Sequence, residues 1–293
     1  MMLEIKLLEN SDEMAQVEDL QRIVWPGSET DVVPGHILLT FAHNGGLVLG
    51  AFEGGVLRGL LFGFPGIYFT ADGPRPKHCS HQMGIHPDAM DKGIGYSLKR
   101  AQWQIVRKQG LDRITWTYDP LLSRNGHLNI GRLGAVCSTY VNDLYGSMRD
   151  GLNAGLPSDR FQVDWWVNTR RVQGCMNSNH GPELKLTDYL AANAQILYPV
   201  TSKDAYFQPA GDMQVPEANL LLAEIPSDFI SLKKDDFELA LAWRLLTRHV
   251  FETCFSAGYI VTDFIFEKEG ERQRSYYVLT NGVPFCNKKS VQI

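Results

Sequence analysis

Between Gln82 and Lys99 the chain reads as a strand ending at Ile85, a short turn through Pro87, and a helix that opens on Gly93-Ile94-Gly95. No other stretch constrains the fold as much. A helix N-terminus carries N–H groups without intrahelical partners and the positive end of the helix dipole. Glycines let a ligand approach that backbone without Cβ clashes. Strand, turn and helix together make a seat for a phosphate or pyrophosphate. The Gly-x-x-x-x-Gly-Lys-Ser/Thr of a P-loop is absent, and Leu98 stands where a dinucleotide fingerprint needs its third glycine.

The flanking elements follow from periodicity and punctuation. Residues 3–8 predict a strand, and Asn10-Ser11-Asp12-Glu13 a capped helix start running towards Trp25. A second helix covers 37–41. Strands 47–52 and 56–64 flank Glu53-Gly54-Gly55, a hairpin signal. Residues 65–77, rich in Gly and Pro, are expected as a loop, and 79–85 as a strand. Ile94, Leu98, Ala101 and Ile105 recur at helical spacing up to Gly110. A strand over 111–118, a helix or irregular turn over 121–133, a strand within 134–145 and an alternating strand over 161–167 follow. The order is β-α-α-β-β-β-α-β-α-β-β.

The polar stretch from Gly174 to Gly181 reads as a boundary. Beyond it come a strand at 220–224, a long amphipathic helix over 239–257 ended by Gly258, and strands at 259–266 and 275–279. The expected fold class is therefore α/β (α+β). Residues 1–174 form a mixed central sheet flanked by helices, and residues 175–293 a smaller α/β region packed on it, because the helix needs a partner for its apolar stripe. Ile85-His86-Pro87, helix, Gly110 and strand find a weak echo in Ile225-Pro226, helix, Gly258 and strand. Any α/β chain produces such units.

The stretch Ile85-His86-Pro87, then Met90-Asp91-Lys92-Gly93-Ile94-Gly95, resembles the pyrophosphate-binding signature of the GNAT superfamily of acetyl-CoA-dependent N-acyltransferases, Gln/Arg-x-x-Gly-x-Gly/Ala after a Val-x-Pro-like strand end. The element order up to residue 172 is also similar to the family's, and the tail lies outside it. The resemblance implies acetyl-CoA as acyl donor. Backbone groups of Met83, Gly84 and Ile85 would pair with the pantetheine arm, and the amides of Lys92, Gly93, Ile94, Gly95, Tyr96 and Ser97 would hold the pyrophosphate. An amide near Ile85 would polarise the thioester carbonyl. Residues 123–135 look like the family's second motif, with Asn125 as a contact to the arm. Two positions depart from the pattern: Met90 replaces the Gln/Arg, and Ile130 falls where the family's acidic Tyr is expected.

Acyl transfer to an amine needs a proton acceptor and often an acid for the leaving thiolate. His81 and Asp119 are candidates for the base. Tyr140, or Tyr145, could substitute for the missing acid. Each has a structural alternative: a histidine satisfied by hydrogen bonds, a carboxylate at a strand end, aromatics on a strand or turn. His78 and His81 point to opposite faces of a strand and do not form a metal site with Cys79. Trp116, Trp165 and Trp166 line an acceptor pocket or belong to the core.

A net charge of −5 with no long basic run argues against a nucleic-acid partner. Five scattered cysteines without a CxxC pair suit reduced thiols better than a disulfide framework or zinc ribbon. No apolar run approaches the ~20 residues that span a bilayer, and the N-terminus lacks the pattern of a signal peptide. The expectation is a cytoplasmic N-acyltransferase acting on a small-molecule or peptide amine, without a metal. The alternative is a non-catalytic CoA- or ligand-binding protein with a degenerate site.

Overall fold

In the computed structural model, residues 3–27, 29–146, 155–177, 183–203, 205–211, 213, 215–269 and 272–281 are described. The first half runs β1 (Leu3–Leu7), α1 (Ser11–Val24), α2 (Gly35–His43), β2 (Leu47–Glu53), β3 (Val56–Thr70), β4 (Gly73–Ile85), α3 (Ile94–Lys108), β5 (Arg113–Tyr118), α4 (Ser123–Gly126) with a π-helical continuation His127–Arg132, β6 (Val136–Val141) and β7 (Arg160–Trp166). The second runs α5 (Arg170–Met176), α6 (Leu186–Ala191), β8 (Gln195–Ile196), β9 (Val200–Lys203), β10 (Tyr206–Pro209), β11 (Leu220–Ile225), α7 (Phe229–Asp235), α8 (Phe237–Ser256), β12 (Tyr259–Glu269) and β13 (Arg272–Asn281).

Local chemistry accounts for the element ends. Asn10 and Glu13 form the capping box of α1: the Glu13 N–H donates to the Asn10 side chain at 3.0 Å, and the Glu13 carboxylate accepts from the Asn10 N–H at 3.3 Å. Gly54 and Gly55 both take positive φ, as the two-residue β2–β3 turn requires. The loop expected over 65–77 is instead the distal arm of a long hairpin, with Ile67 opposite Pro76 and Phe69 opposite Pro74. Prolines are tolerated there because β4 meets β5 only at His78 and Cys79, which leaves residues 73–77 with a free edge and no ladder to break.

One sheet of eleven strands spans both halves, in the order β1-β2-β3-β4-β5-β7-β6-β12-β13-β11-β8. The boundary expected at 174/175 falls inside α5, and the sheet crosses from one half to the other through Val261 opposite Cys137. Outward from that junction the pairings repeat on both sides: antiparallel, antiparallel, then parallel, ending in β5–β4 on one side and β11–β8 on the other. The echo seen in the sequence is thus offset. In the first half β4 and β5 are neighbours, whereas β13 lies between β11 and β12, so β11-α8-β12-β13 mirrors β5-α4-β6-β7.

A single apolar core runs along the α3 face of the sheet from Leu47 through Phe161 and Phe251 to Leu279. Phe251 of α8 sits 4.6 Å from Phe161 of β7 and 5.4 Å from Tyr277 of β13, centroid to centroid. The apolar stripe of α8 is therefore covered by strands of both halves. α1 and α2 cover the opposite face of the first half. α4 rests directly on the tail, for a Cβ on Gly126 would lie 2.5 Å from Phe264 of β12.

Candidate acyl-CoA site

β4 and β5 pair at His78–Ile114 and Cys79–Thr115 and then separate, while β4 stays paired with β3 through Met83–Leu61, Gly84–Leu60 and Ile85–Gly59. The result is a V-shaped gap whose vertex lies beside Ser80 and Trp116. A β-bulge sits at that vertex. Phe62 opposes Gln82 and Gly63 opposes Ser80, so His81 is the extra residue. Bulges bend a strand and end its pairing, which is how β4 turns away from β5. Its backbone groups directed at β5 beyond Cys79 have no strand partner there. Met83 and Ile85 face α3, whereas Gly84 is a glycine because a Cβ there would lie 2.8 Å from Trp25 of the segment after α1.

The mouth of α3 lies beyond the open end of the gap. Gly93 is its N-cap in a left-handed conformation (φ 75°) and offers no side-chain cap. Ser97 is the first residue whose N–H bonds back into the helix, to the Gly93 carbonyl at 3.1 Å. The amides of Ile94, Gly95 and Tyr96 are thus left pointing outward. No heavy atom lies within 4 Å of a Cβ built on Gly93, so the approach to them is open. Lys92 is exposed, 3.7 Å from Glu53. The Tyr96 side chain turns inward and donates to the Cys175 carbonyl at 2.7 Å. Asn125 is half-buried on α4, its side-chain amide without a protein partner among the described residues.

Arg124 of α4 reaches the turn before α3. Its Nη2 lies 3.1 Å from the Asp91 carboxylate and its Nη1 3.6 Å from Met90 Sδ. A guanidinium therefore stands beside the position where the family signature has Gln/Arg and this chain has Met90. Sequence reasoning missed Arg124 because the contact joins residues more than thirty apart.

The four acid–base candidates are not gathered at one point. His81 lies at the surface on the face away from α3, its ring 5.1 Å from Phe62 and 6.0 Å from Phe64. Burial against its neighbours lowers its pKa, so it is neutral at pH 7. Asp119, at the end of β5, is buried. Its Oδ1 accepts from Arg244 Nη1 of α8 at 2.9 Å and from the Leu121 N–H at 2.9 Å, and its other oxygen from Arg244 Nη2. Tyr140 donates to Asp159 at 2.9 Å, and Asp159 also accepts from Arg248 of α8 at 2.9 and 2.7 Å. Burial, then the Asp159 charge, pushes the Tyr140 hydroxyl well up, which disfavours its ionisation. Asp119 is thus held by Arg244 of the tail, and Tyr140 by Asp159, whose carboxylate Arg248 of the tail holds in turn. Tyr145 is exposed, its hydroxyl 2.9 Å from Thr117 Oγ1 on the β5 wall of the gap.

Behind the vertex, between α3 and the sheet, is a buried polar nest that sequence reasoning also missed. Lys99 Nζ donates to Ser80 Oγ at 2.9 Å and Gln102 Oε1 at 3.2 Å, and lies 3.8 Å from the Trp116 ring centroid. Gln102 Nε2, Trp116 Nε1 and both nitrogens of His78 have no hydrogen-bond partner among the described residues. Burial lowers Lys99 to about 7, and burial, then the Lys99 charge, lowers His78 to about 3. The available signal was position: Lys99 and Gln102 lie on the same buried stripe of α3 as Ile94, Leu98 and Val106. Of the tryptophans, Trp116 and Trp165 are core, while Trp166 meets Tyr68 and Arg113. Among the described residues no His/Cys/Asp/Glu group is arranged to hold a metal, and no helix is long and apolar enough to cross a membrane.

No protein-family model matches the chain, and no curated protein matches it. Solved structures to which the chain is similar include acetyltransferases. A GNAT-family acetyltransferase from Streptococcus pneumoniae aligns at 16% identity over 56% of this chain and 98% of its own, with a TM-score of 0.42. The ribosomal-protein-S18-alanine N-acetyltransferase of Escherichia coli aligns at 16% identity over 63% of this chain and 100% of its own, with a TM-score of 0.42. Arabidopsis thaliana Naa50, solved with the bisubstrate analogue CoA-Ac-MVNAL, aligns at 13% identity over 55% of this chain and 97% of its own, with a TM-score of 0.42. At such identities and scores, the chemistry of this chain has to come from its own residues.

Proposed function

We propose that this chain is a GNAT-type acyltransferase, taking an acyl group from acyl-CoA, with acetyl-CoA as the reference donor, to an amine on a small molecule or peptide. The observation that carries this is the pairing of a bulged, splayed β4–β5 gap with an uncapped helix mouth at its open end. A free strand edge supplies alternating donors and acceptors for an amide-bearing arm. The outward amides of Ile94, Gly95 and Tyr96 suit a pyrophosphate, whereas the Ser97 amide expected beside them is spent on the Gly93 carbonyl, and Arg124 adds a cation where Met90 cannot.

Acyl-CoA would supply an activated acyl carbon and a thiolate leaving group. Backbone along Met83–Ile85 would align the arm, and an amide there would stabilise the carbonyl oxygen as charge develops on it. As the acceptor nitrogen bonds to the acyl carbon, the C–S bond breaks. Neutral His81, on the acceptor side of the bulge, would take the amine proton, and the departing sulfur would be protonated from Tyr145 or solvent. Asp119 and Tyr140 act as positioning groups at the β5 and β6 ends.

The engagement of Asp119 by Arg244 and of Tyr140 by the Arg248-held Asp159 favours a second reading, a CoA-binding protein without turnover. Release of free thiol from acetyl-CoA over a panel of amines separates the two. The shared premise is tested by calorimetric titration of acetyl-CoA into the parent, Gly93→Glu and Gly93→Ala. A carboxylate facing the pyrophosphate should weaken binding by at least about a hundredfold. Alanine controls for the positive φ at this residue and should retain most of the affinity. A parent protein that binds neither acetyl-CoA nor CoA would sink both readings.

A further inference from the structure

The nest behind the gap holds more unpaired donors than acceptors around one buried amine. Its two oxygen acceptors, Ser80 Oγ and Gln102 Oε1, are already used by Lys99. Lys99 also faces the Trp116 ring, and what remains unpaired among the described residues is Gln102 Nε2, Trp116 Nε1 and the ring nitrogens of His78, which as a neutral ring offers one donor and one acceptor. No carboxylate lies within ion-pair reach of Lys99 among the described residues, although its side chain is fully buried. A buried ammonium without a counter-ion is costly, and a buried donor left unpaired adds to that cost. Such a group of donors around one cation is suited to an anion.

Its place in the fold says which anion. Ser80 and Trp116 are the first residues of β4 and β5 past their last pairing, and Lys99 touches both. An acyl group seated at the vertex of the gap would have its far end against this nest. We propose that the acyl donor of this protein carries a carboxylate, as in a malonyl- or succinyl-type acyl-CoA, and that the nest of Lys99, Ser80, Gln102 and Trp116 receives that carboxylate. The inference rests on the acyl-CoA reading above and adds the class of acyl group.

The charge that does the selecting is Lys99. From β4 it is faced by His78, which stays neutral above about pH 3, and from β5 and β7 by the rings of Trp116 and Trp165. An anion held there requires the protonated amine. The preference for an anionic acyl group should therefore be largest below pH 7 and fade as Lys99 loses its proton above it.

The experiment is calorimetric titration of the full-length protein with CoA, acetyl-CoA, butyryl-CoA and succinyl-CoA, the last two matched in chain length. At pH 6.5 succinyl-CoA should bind about ten- to a hundredfold more tightly than butyryl-CoA, the range for a hydrogen-bonded charge. That ratio should fall towards one between pH 7 and pH 9, and Lys99→Met should bring it to within about twofold at either pH. Should Lys99→Met not fold, the pH dependence of the parent decides alone. Equal or tighter binding of butyryl-CoA, or a ratio that survives Lys99→Met, overturns the proposal while leaving the acyl-CoA reading intact. Tight binding of free succinate without CoA also overturns it, by making the nest a site for a free anion. Failure of CoA itself to bind overturns the reading beneath it.

Discussion

Lys99→Met should change how the stability of this protein depends on pH. Methionine has nearly the length of lysine and no charge. The folded-state pKa of Lys99 is about 7, below the 10.5 of a solvated lysine. Between those values the unfolded chain holds a proton that the folded chain has released, so the stability of the parent rises with pH across that window. The penalty for the buried ammonium is complete below pH 7 and is relieved as pH climbs. Integrated from pH 6 to pH 9, the Lys99 contribution is about 2–3 kcal/mol. The variant also leaves Ser80 Oγ and Gln102 Oε1 without their donor, but that loss is the same at both pH values and cancels in the difference. Titrating tyrosines and cysteines elsewhere cancel too. The assay is urea unfolding of both proteins at pH 6 and pH 9, followed by far-UV circular dichroism and tryptophan fluorescence together. The parent should gain about 2–3 kcal/mol on the variant between the two pH values. Stability curves that run parallel from pH 6 to pH 9 would refute the reading of Lys99 as a desolvated, unpaired amine.

Arg244→Met leaves the Asp119 carboxylate buried, with Arg160 at 4.0 Å the cation that remains beside it among the described residues. It should cost about 3–5 kcal/mol by urea unfolding, and most of that should return in Arg244→Met/Asp119→Leu, where both charges are gone. Acyl transfer should fail towards acid as His81 becomes protonated, with a midpoint below its ordinary 6.5 because burial lowers it. The same pH profile measured on His81→Ala should lose this acidic limb, and a limb that persists would remove His81 from the role of base.

What the sequence displayed and what it hid differ by distance along the chain. The β2–β3 hairpin needs only Gly54 and Gly55 at its tip, and α1 needs only Asn10 and Glu13, so both are readable within a few residues. The mouth of α3 is equally local. The hairpin arm over 65–77 was misread because Gly and Pro punctuate loops in general, and only the tertiary arrangement leaves that arm an edge where Pro is harmless. The gap between β4 and β5, the one-pair junction of β6 with β12 and the Asp119–Arg244 pair, separated by 125 residues, exist only in three dimensions. Lys99 was visible as a letter but not as an anomaly, because a lysine at the margin of an apolar stripe ordinarily carries its charge out to water.

The mirrored pairing of the sheet raises the question of why one gap suffices. β8 and β11 pair in parallel at Gln195–Leu221 and Ile196–Leu222, then part as β4 and β5 do. There the likeness stops. Tyr198, fully buried, lies just past the last pair and donates to the Glu224 carbonyl of β11, filling the space from within. Glu224 in turn holds Arg274 at 2.8 and 2.7 Å. After β8 the chain enters Pro199 and the β9–β10 hairpin, where the first half has a glycine turn and α3. The second gap therefore lacks both an open edge and a helix mouth. What the tail contributes to the first gap is stiffness. Asp119 terminates β5, the wall opposite β4, and Arg244 holds that terminus against α8 in the shared core. A gap that must keep two strands apart without a ligand between them needs each wall braced from elsewhere. β3 braces β4, and β7 together with α8 braces β5. On this account Arg244→Met should weaken acyl-CoA binding as well as stability, through a wall that is no longer held.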